Sequence, residues 1–205
     1  MIAAATTVAE LEIPISERGP SPRKVIVAYG FWLFLLSDII IFSALFAAYA
    51  VLAGRIAGGP SGVKLFHRDS VLIETGCLLL SSFTCALMSL AIEVRRRGLM
   101  VVGAALTFAL GAAFLWLELT EFASMVAHGA GPSRSAFLSA FFALVGMHGL
   151  HVTIGLCWLV SMVAQVFTLG WRPMVIARLA CFSLFWHALD IVWIGVFTIV
   201  YLGAR

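Results

Sequence analysis

From Ser135 to Val166 the chain contains no Asp, Glu, Lys or Arg. About 20 consecutive apolar residues are enough for an α-helix to cross the hydrocarbon core of a bilayer, so a run this long reads as a transmembrane helix. Two imidazoles lie inside it, His148 and His151, three positions apart and therefore on one helical face. Ser135, Ser139, Ala143 and Gly146 form a line of small residues, the kind that lets helix backbones approach closely in lipid. The expected helix packs against others and offers its histidines to them rather than to lipid.

Composition generalises the point. Of 205 residues, 62% are hydrophobic and 11% charged, with mean hydropathy +1.08. A soluble domain carries about 25% charged residues, which makes this an all-α integral membrane protein. The net charge of +3 is too small and too dispersed to suggest a nucleic-acid partner. Cys77, Cys85, Cys157 and Cys181 all fall in apolar spans without a Cys-x-x-Cys pair, and read as small buried packing residues.

Five spans follow along the chain: Tyr29 to Leu52, Val71 to Ile92, Leu99 to Leu119, the histidine helix, and Val175 to Leu202. Residues 1–27 form a polar tail without the basic start, apolar run and cleavage site of a signal peptide, and are expected to be loosely ordered. Residues 55–69 are a loop broken by Gly58, Gly59, Pro60 and Gly62. Asp69 and Ser70 are candidate N-caps, with Glu74 in the first turn, where the helix dipole favours an acid. Basic residues concentrate on one side of this topology. Arg18, Arg23, Lys24, Arg95, Arg96, Arg97, Arg172 and Arg178 lie opposite Arg55, Lys64, Arg68, Arg134 and Arg205. The expectation is a five-helix bundle with a cytoplasmic N-terminus and a periplasmic C-terminus.

The hydrophilic residues inside the spans are the candidate site. At about 1.5 Å rise per residue, Asp38 and His187 lie roughly 15 Å from the cytoplasmic ends of their helices, and His151 roughly 25 Å from its outer end. Asp38, His148, His151, His187 and Asp190 thus fall in one layer and could meet between helices. Three uses are compatible with that layer. The groups can hydrogen-bond to each other, to backbone and to lipid headgroups; they can hold a metal or haem through His-x-x-His and His-x-x-Asp; or they can carry protons. The first is favoured, because His-x-x-His arises by chance and membrane helices pack through polar contacts anyway. Glu118 and Glu121, one turn apart at the end of the third span, are expected to face water. The stripe Phe182, Trp186, Trp193, Phe197 and Tyr201 reads as packing or lipid-facing surface, its end residues suited to an interfacial belt.

Four segments carry a family resemblance. Tyr29-Gly-Phe-Trp-Leu-Phe-Leu-Leu-Ser-Asp-Ile-Ile-Ile-Phe-Ser resembles the first conserved helix of subunit III of the haem-copper oxidases, with Asp38 at its acidic position. Glu74-Thr-Gly-Cys-Leu-Leu-Leu-Ser-Ser is similar to the next helix. Gly146-Met-His-Gly-Leu-His-Val-Thr-Ile-Gly and Phe185-Trp-His-Ala-Leu-Asp-Ile-Val-Trp-Ile resemble the two most characteristic segments. The run from Gly131 to His151 is most similar to the bacterial ubiquinol oxidase branch of the cytochrome o type, whose subunit III has five helices rather than seven. The resemblance covers residues 28–204. It implies a membrane domain over 28–205 in a bacterial inner-membrane complex that oxidises ubiquinol, reduces oxygen to water and pumps protons. It further implies that haems and copper sit in subunit I, that ubiquinol binds on another subunit, and that this chain has no catalytic residue, metal or cofactor. Its implied partners are subunits I, II and IV and phospholipids, with Asp38, His148, His151, His187 and Asp190 as lipid-cleft or subunit-interface residues.

Overall fold

The computed structural model describes residues 23–55 and 68–203. They form five helices, each long and apolar enough to cross a membrane: α1 (Arg23–Leu52), α2 (Arg68–Glu93), α3 (Arg97–Ala127), α4 (Ala136–Leu169) and α5 (Pro173–Val196), the last prolonged by a π-helical turn, Phe197–Leu202. Among the described residues there is no strand. The all-helical membrane architecture is the expected one, while several boundaries move. α1 begins at Arg23, so residues 23–27 of the expected tail are helical; residues 1–22, and most of the Gly/Pro loop, lie outside the described residues. α2 begins at Arg68, which puts Asp69 and Ser70 inside its first turn instead of before it. α3 runs to Ala127, about two turns past the expected end.

The ends of these helices follow from local chemistry. Ser135 caps α4, its hydroxyl accepting the Leu138 N–H at 3.2 Å, and Pro173 opens α5 at a position where no N–H is needed. α2 closes with paired bonds, Arg96 N–H to the Ala91 carbonyl at 3.0 Å and Arg95 N–H to that of Ile92 at 3.1 Å. α3 closes identically, with Ala130 bonded to Met125 and Gly129 to Val126. This ending needs one residue in the left-handed region. Gly129 supplies it at φ +75°, and Arg95 adopts it at φ +52° without glycine's freedom.

The short turn between α2 and α3 makes them neighbours, and glycine brings them together. A Cβ on Gly103 would stand 2.9 Å from the Met88 Cβ and 3.1 Å from its Cα. Two further glycines make room for one indole: Trp186 of α5 fits against Gly111 of α3 and Gly155 of α4, where an added Cβ would lie 3.0 and 2.8 Å from the ring. The close approach on α4 is thus on the side of Gly149 and Gly155. Ser139 and Ala143, half of the expected small-residue line, are exposed. The aromatic ring of Trp186 decides which face of α4 packs.

The chain divides between Phe34 and Leu35. Residues 23–34 are the start of α1 and carry a Phe31–Phe34 ring pair at 5.7 Å. The remainder holds the core, to which α1 contributes Leu35, Phe42 and Tyr49, buried at seven-residue intervals. A seven-residue repeat keeps one line of a helix against its support, and intervening positions such as Ile40 and Ile41 are exposed. Of the four cysteines only Cys85 is buried; Cys77 and Cys181 are half-buried and Cys157 is exposed, and all are free thiols. Packing therefore accounts for Cys85 and not for Cys157.

Gly103→Ala is expected to destabilise the bundle by about 1–3 kcal/mol through overpacking against the Met88 backbone. Gly98→Ala, which meets nothing within 4 Å, should be neutral. Thermal unfolding of the two variants in detergent, followed by fluorescence-detected gel filtration, makes the comparison.

Candidate functional site: a polar seam inside the membrane

Hydroxyls of α2 line one flank of α5. Thr75 Oγ1 accepts the Trp193 indole N–H at 3.1 Å, and Ser81 Oγ accepts that of Trp186 at 3.1 Å. Ser82 Oγ meets His187 Nδ1 at 2.6 Å, and Ser89 Oγ donates to Ser183 Oγ at 3.0 Å. Residue numbers rise along α2 as they fall along α5, so the bonds form an antiparallel zipper. Thr84 Oγ1 and Thr107 Oγ1, 2.9 Å apart, extend it to α3. Water is absent at this depth, so an indole N–H has to find its acceptor within the protein, and Thr75 and Ser81 supply those acceptors to Trp193 and Trp186.

The five residues expected to form one layer are divided among three places. Asp38 and His151 meet across α1 and α4, carboxylate oxygen to Nε2 at 3.8 Å, an ion pair when the imidazole is protonated. His151 Nδ1 donates to the Met147 carbonyl at 2.8 Å, which turns Nε2 towards Asp38. A groove of about 100 Å³ opens beside this pair, lined by Asp38, Phe42, Phe185 and Ile191 among others. His148 is separate. It is fully buried between Phe42, Phe114 and Trp193, with ring centroids 6.4, 5.7 and 5.2 Å away, and neither ring nitrogen has a hydrogen-bond partner. An N–H directed at an aromatic face recovers part of a missing hydrogen bond, and Phe114 lies perpendicular to the imidazole, at 90°. His187 and Asp190 form the third group, both against Ser82.

The helical period explains this division. His148 and His151 are three residues apart, about 300° around a helix, and the remaining offset separates a position inside the core from one at its α1 margin. Among the described residues, no three His, Cys, Asp or Glu side chains are arranged to hold a metal ion. His151 and His187 each commit Nδ1 to a protein oxygen, and aromatic rings enclose His148.

The acids differ most from expectation. Glu118 is only 3% exposed and Glu74 1%. They adjoin each other and Glu121, and five carboxyl oxygens of the three are buried without a partner. Because α3 continues to Ala127, Glu118 stands well inside the helix rather than at its watery end. α2 passes alongside in the opposite direction and brings Glu74 to the same level. Tyr201, expected in an interfacial belt, is 4% exposed and lies near these carboxyls. Phe182, Trp186 and Trp193 are likewise buried, which decides for packing over lipid contact. The hydroxyl partners on α2 were not singled out from the sequence; the signal was the seven-residue recurrence of Thr75, Ser82 and Ser89.

With this arrangement in view, a family model described as cytochrome c oxidase subunit III matches residues 21–204. The chain belongs to the cytochrome c oxidase subunit III family. Curated relatives agree over most of their length. The cytochrome bo(3) ubiquinol oxidase subunit 3 of Pseudomonas aeruginosa is 52% identical over 174 residues, 85% of this chain and 83% of that protein. The protein of the same name from Buchnera aphidicola subsp. Baizongia pistaciae is 44% identical over 173 residues, 84% of this chain and 89% of that one. The quinol oxidase subunit 3 of Bacillus subtilis is 45% identical over 176 residues, 84% and 85% respectively. This subunit III is a multi-pass membrane component of a respiratory oxidase, and its polar seam lies within the matched region.

Thr75→Val keeps the volume and removes the acceptor of the Trp193 N–H. A loss of about 1 kcal/mol is expected, the scale of an interhelical hydrogen bond in a membrane, measured as a lower denaturation midpoint in mixed micelles.

Proposed function

We propose that this chain is the non-catalytic subunit III of a bacterial bo-type ubiquinol oxidase in the inner membrane. It supports subunit I, which would carry the haems and copper, alongside subunits II and IV. The observation that carries the reading is the match to quinol oxidase subunits over more than four fifths of both chains. The geometry is in keeping with a supporting role. The imidazoles are occupied in holding helices: His151 by Asp38 and Met147, His187 by Ser82, His148 by a cage of rings. Ubiquinol oxidation, oxygen reduction and proton pumping are in this view properties of the complex. The Asp38–His151 pair beside its groove is the candidate for a phospholipid or for the boundary with subunit I. The N-terminus is assigned to the cytoplasm and the C-terminus to the periplasm, on the arginine triplet at residues 95–97.

Purification in mild detergent should recover the chain with a haem-bearing partner, and a chain that remains alone overturns the reading. His148→Ala and His151→Ala should leave the Soret band of the complex unchanged; a band lost with either would make this chain a haem ligand. Asp38→Ala should leave the initial rate of quinol oxidation near wild type and shorten the active lifetime during turnover. Collapse of the first turnovers would instead give Asp38 a part in proton chemistry.

A further inference from the structure

The link between α2 and α3 and the link between α4 and α5 meet at one end of the bundle. The spans stop at Glu93 and resume at Arg97, and stop at Leu169 and resume at Pro173. Arg97 brings the two links together, its Nη2 lying 3.6 Å from where a Cβ on Gly170 would stand. Arg95, Arg96, Arg97, Arg172 and Arg178 are all exposed here, and Glu93 is the one acid within residues 90–100 and 165–178. Among the described residues none of the five arginines forms an ion pair. Arg178 donates to Gln165 Oε1 at 2.8 Å, while Arg95, Arg96 and Arg172 are left without a counter-charge.

These charges are placed, not merely numerous. An excess of basic residues on one side orients a membrane chain by its number, and any position in the link would serve. Arg95 nevertheless occupies the left-handed position that ends α2, at φ +52°, where the equivalent ending of α3 uses Gly129. A side chain there carries a backbone cost that glycine avoids, which argues for a role of the guanidinium itself. The next link of the argument is electrostatic. α3 and α5 both start at this end, with Arg96 and Arg172 as N-caps that make no side-chain cap bond, and neither first turn contains an acid. A helix start is the positive end of its dipole, so these arginines are repelled there until an anion joins them.

Depth and flanks identify the anion. Links between spans lie in the headgroup layer, and Trp171, half-buried between Gly170 and Arg172, is a residue type anchored at that level. Val94, Leu99 and Met174, each within two residues of one of these arginines, expose apolar side chains. A soluble phosphate or an acidic peptide would leave them bare, whereas a lipid lays its acyl chains along them. Guanidinium groups on two adjoining links match two phosphates on one molecule. We propose that the two links together bind a diphosphate lipid of the cardiolipin type, Arg95 and Arg96 holding one phosphate and Arg172 the other. Such a lipid ties the α2–α3 hairpin to the α4–α5 hairpin. The site goes beyond the subunit reading above and does not depend on it.

The test uses the oxidase as extracted, with whatever subunits accompany the chain. Cardiolipin or phosphatidylglycerol, at equal phosphate, is titrated into the delipidated complex, and binding is read by native mass spectrometry. Arg96→Gln and Arg172→Gln should each weaken cardiolipin binding about fivefold, the scale of one basic residue at an anionic surface. Arg95→Gly separates the proposal from a purely structural account. It relieves the left-handed backbone, so without lipid the variant should denature at a higher temperature than wild type, while cardiolipin should raise its midpoint less. A photoactivatable cardiolipin should label residues 94–99 or 170–174. The proposal is overturned by phosphatidylglycerol binding as tightly as cardiolipin, or by inorganic phosphate displacing cardiolipin completely. Label confined to other parts of the chain, equal cardiolipin responses in wild type and all three variants, or an Arg95→Gly chain less stable than wild type without lipid also overturns it. Absence of a haem-bearing partner counts against the subunit reading alone, and the lipid measurements are then made on the full chain by itself.

Discussion

Hydrocarbon offers no partner to a polar group, and that single constraint organises this bundle. Along α2 and α5 it takes the form of hydroxyls set opposite indoles and an imidazole: Thr75 with Trp193, Ser81 with Trp186, Ser82 with His187. None of these bonds is strong by itself, since interhelical hydrogen bonds in membranes average well under 2 kcal/mol. Their effect is on register. Sliding α5 by one turn would leave each N–H facing apolar side chains, and the cost of all of them falls on the same displacement. Trp186 adds a steric stop, because its ring occupies the space left by Gly111 and Gly155.

Apolar content and length made the five helices legible in the sequence, for spans of this size have one solution in a bilayer. The family was legible too, from four short segments. Which residues meet was not. Depth estimates put Asp38, His148, His151, His187 and Asp190 at similar levels, and depth says nothing about azimuth. An offset of about 60° around α4 separates the His148 cage from the His151 pair with Asp38. Glu118 was misjudged for a related reason: its exposure depended on where α3 stops, and no breaker before Gly129 marks that place. Serine and threonine are too common in membrane helices for Ser82 to be noticed without its partner.

Two sets of polar groups are treated differently by the fold. Asp38 and His151 share a margin beside a groove, where an outside molecule can approach. Glu74 and Glu118 are sealed, with Tyr201 for company. A supporting subunit needs both kinds of place. One keeps its own helices in order, and the other leaves polar atoms for its neighbours.

The seven-residue line Leu35, Phe42, Tyr49 is narrow. A helix held along one edge, with its other sides turned outward, is the part of such an assembly that can peel away while the remainder keeps its shape. Residues 35–52 therefore set the weakest seal of the bundle, and backbone amides there should be the first in the spans to trade hydrogen for deuterium.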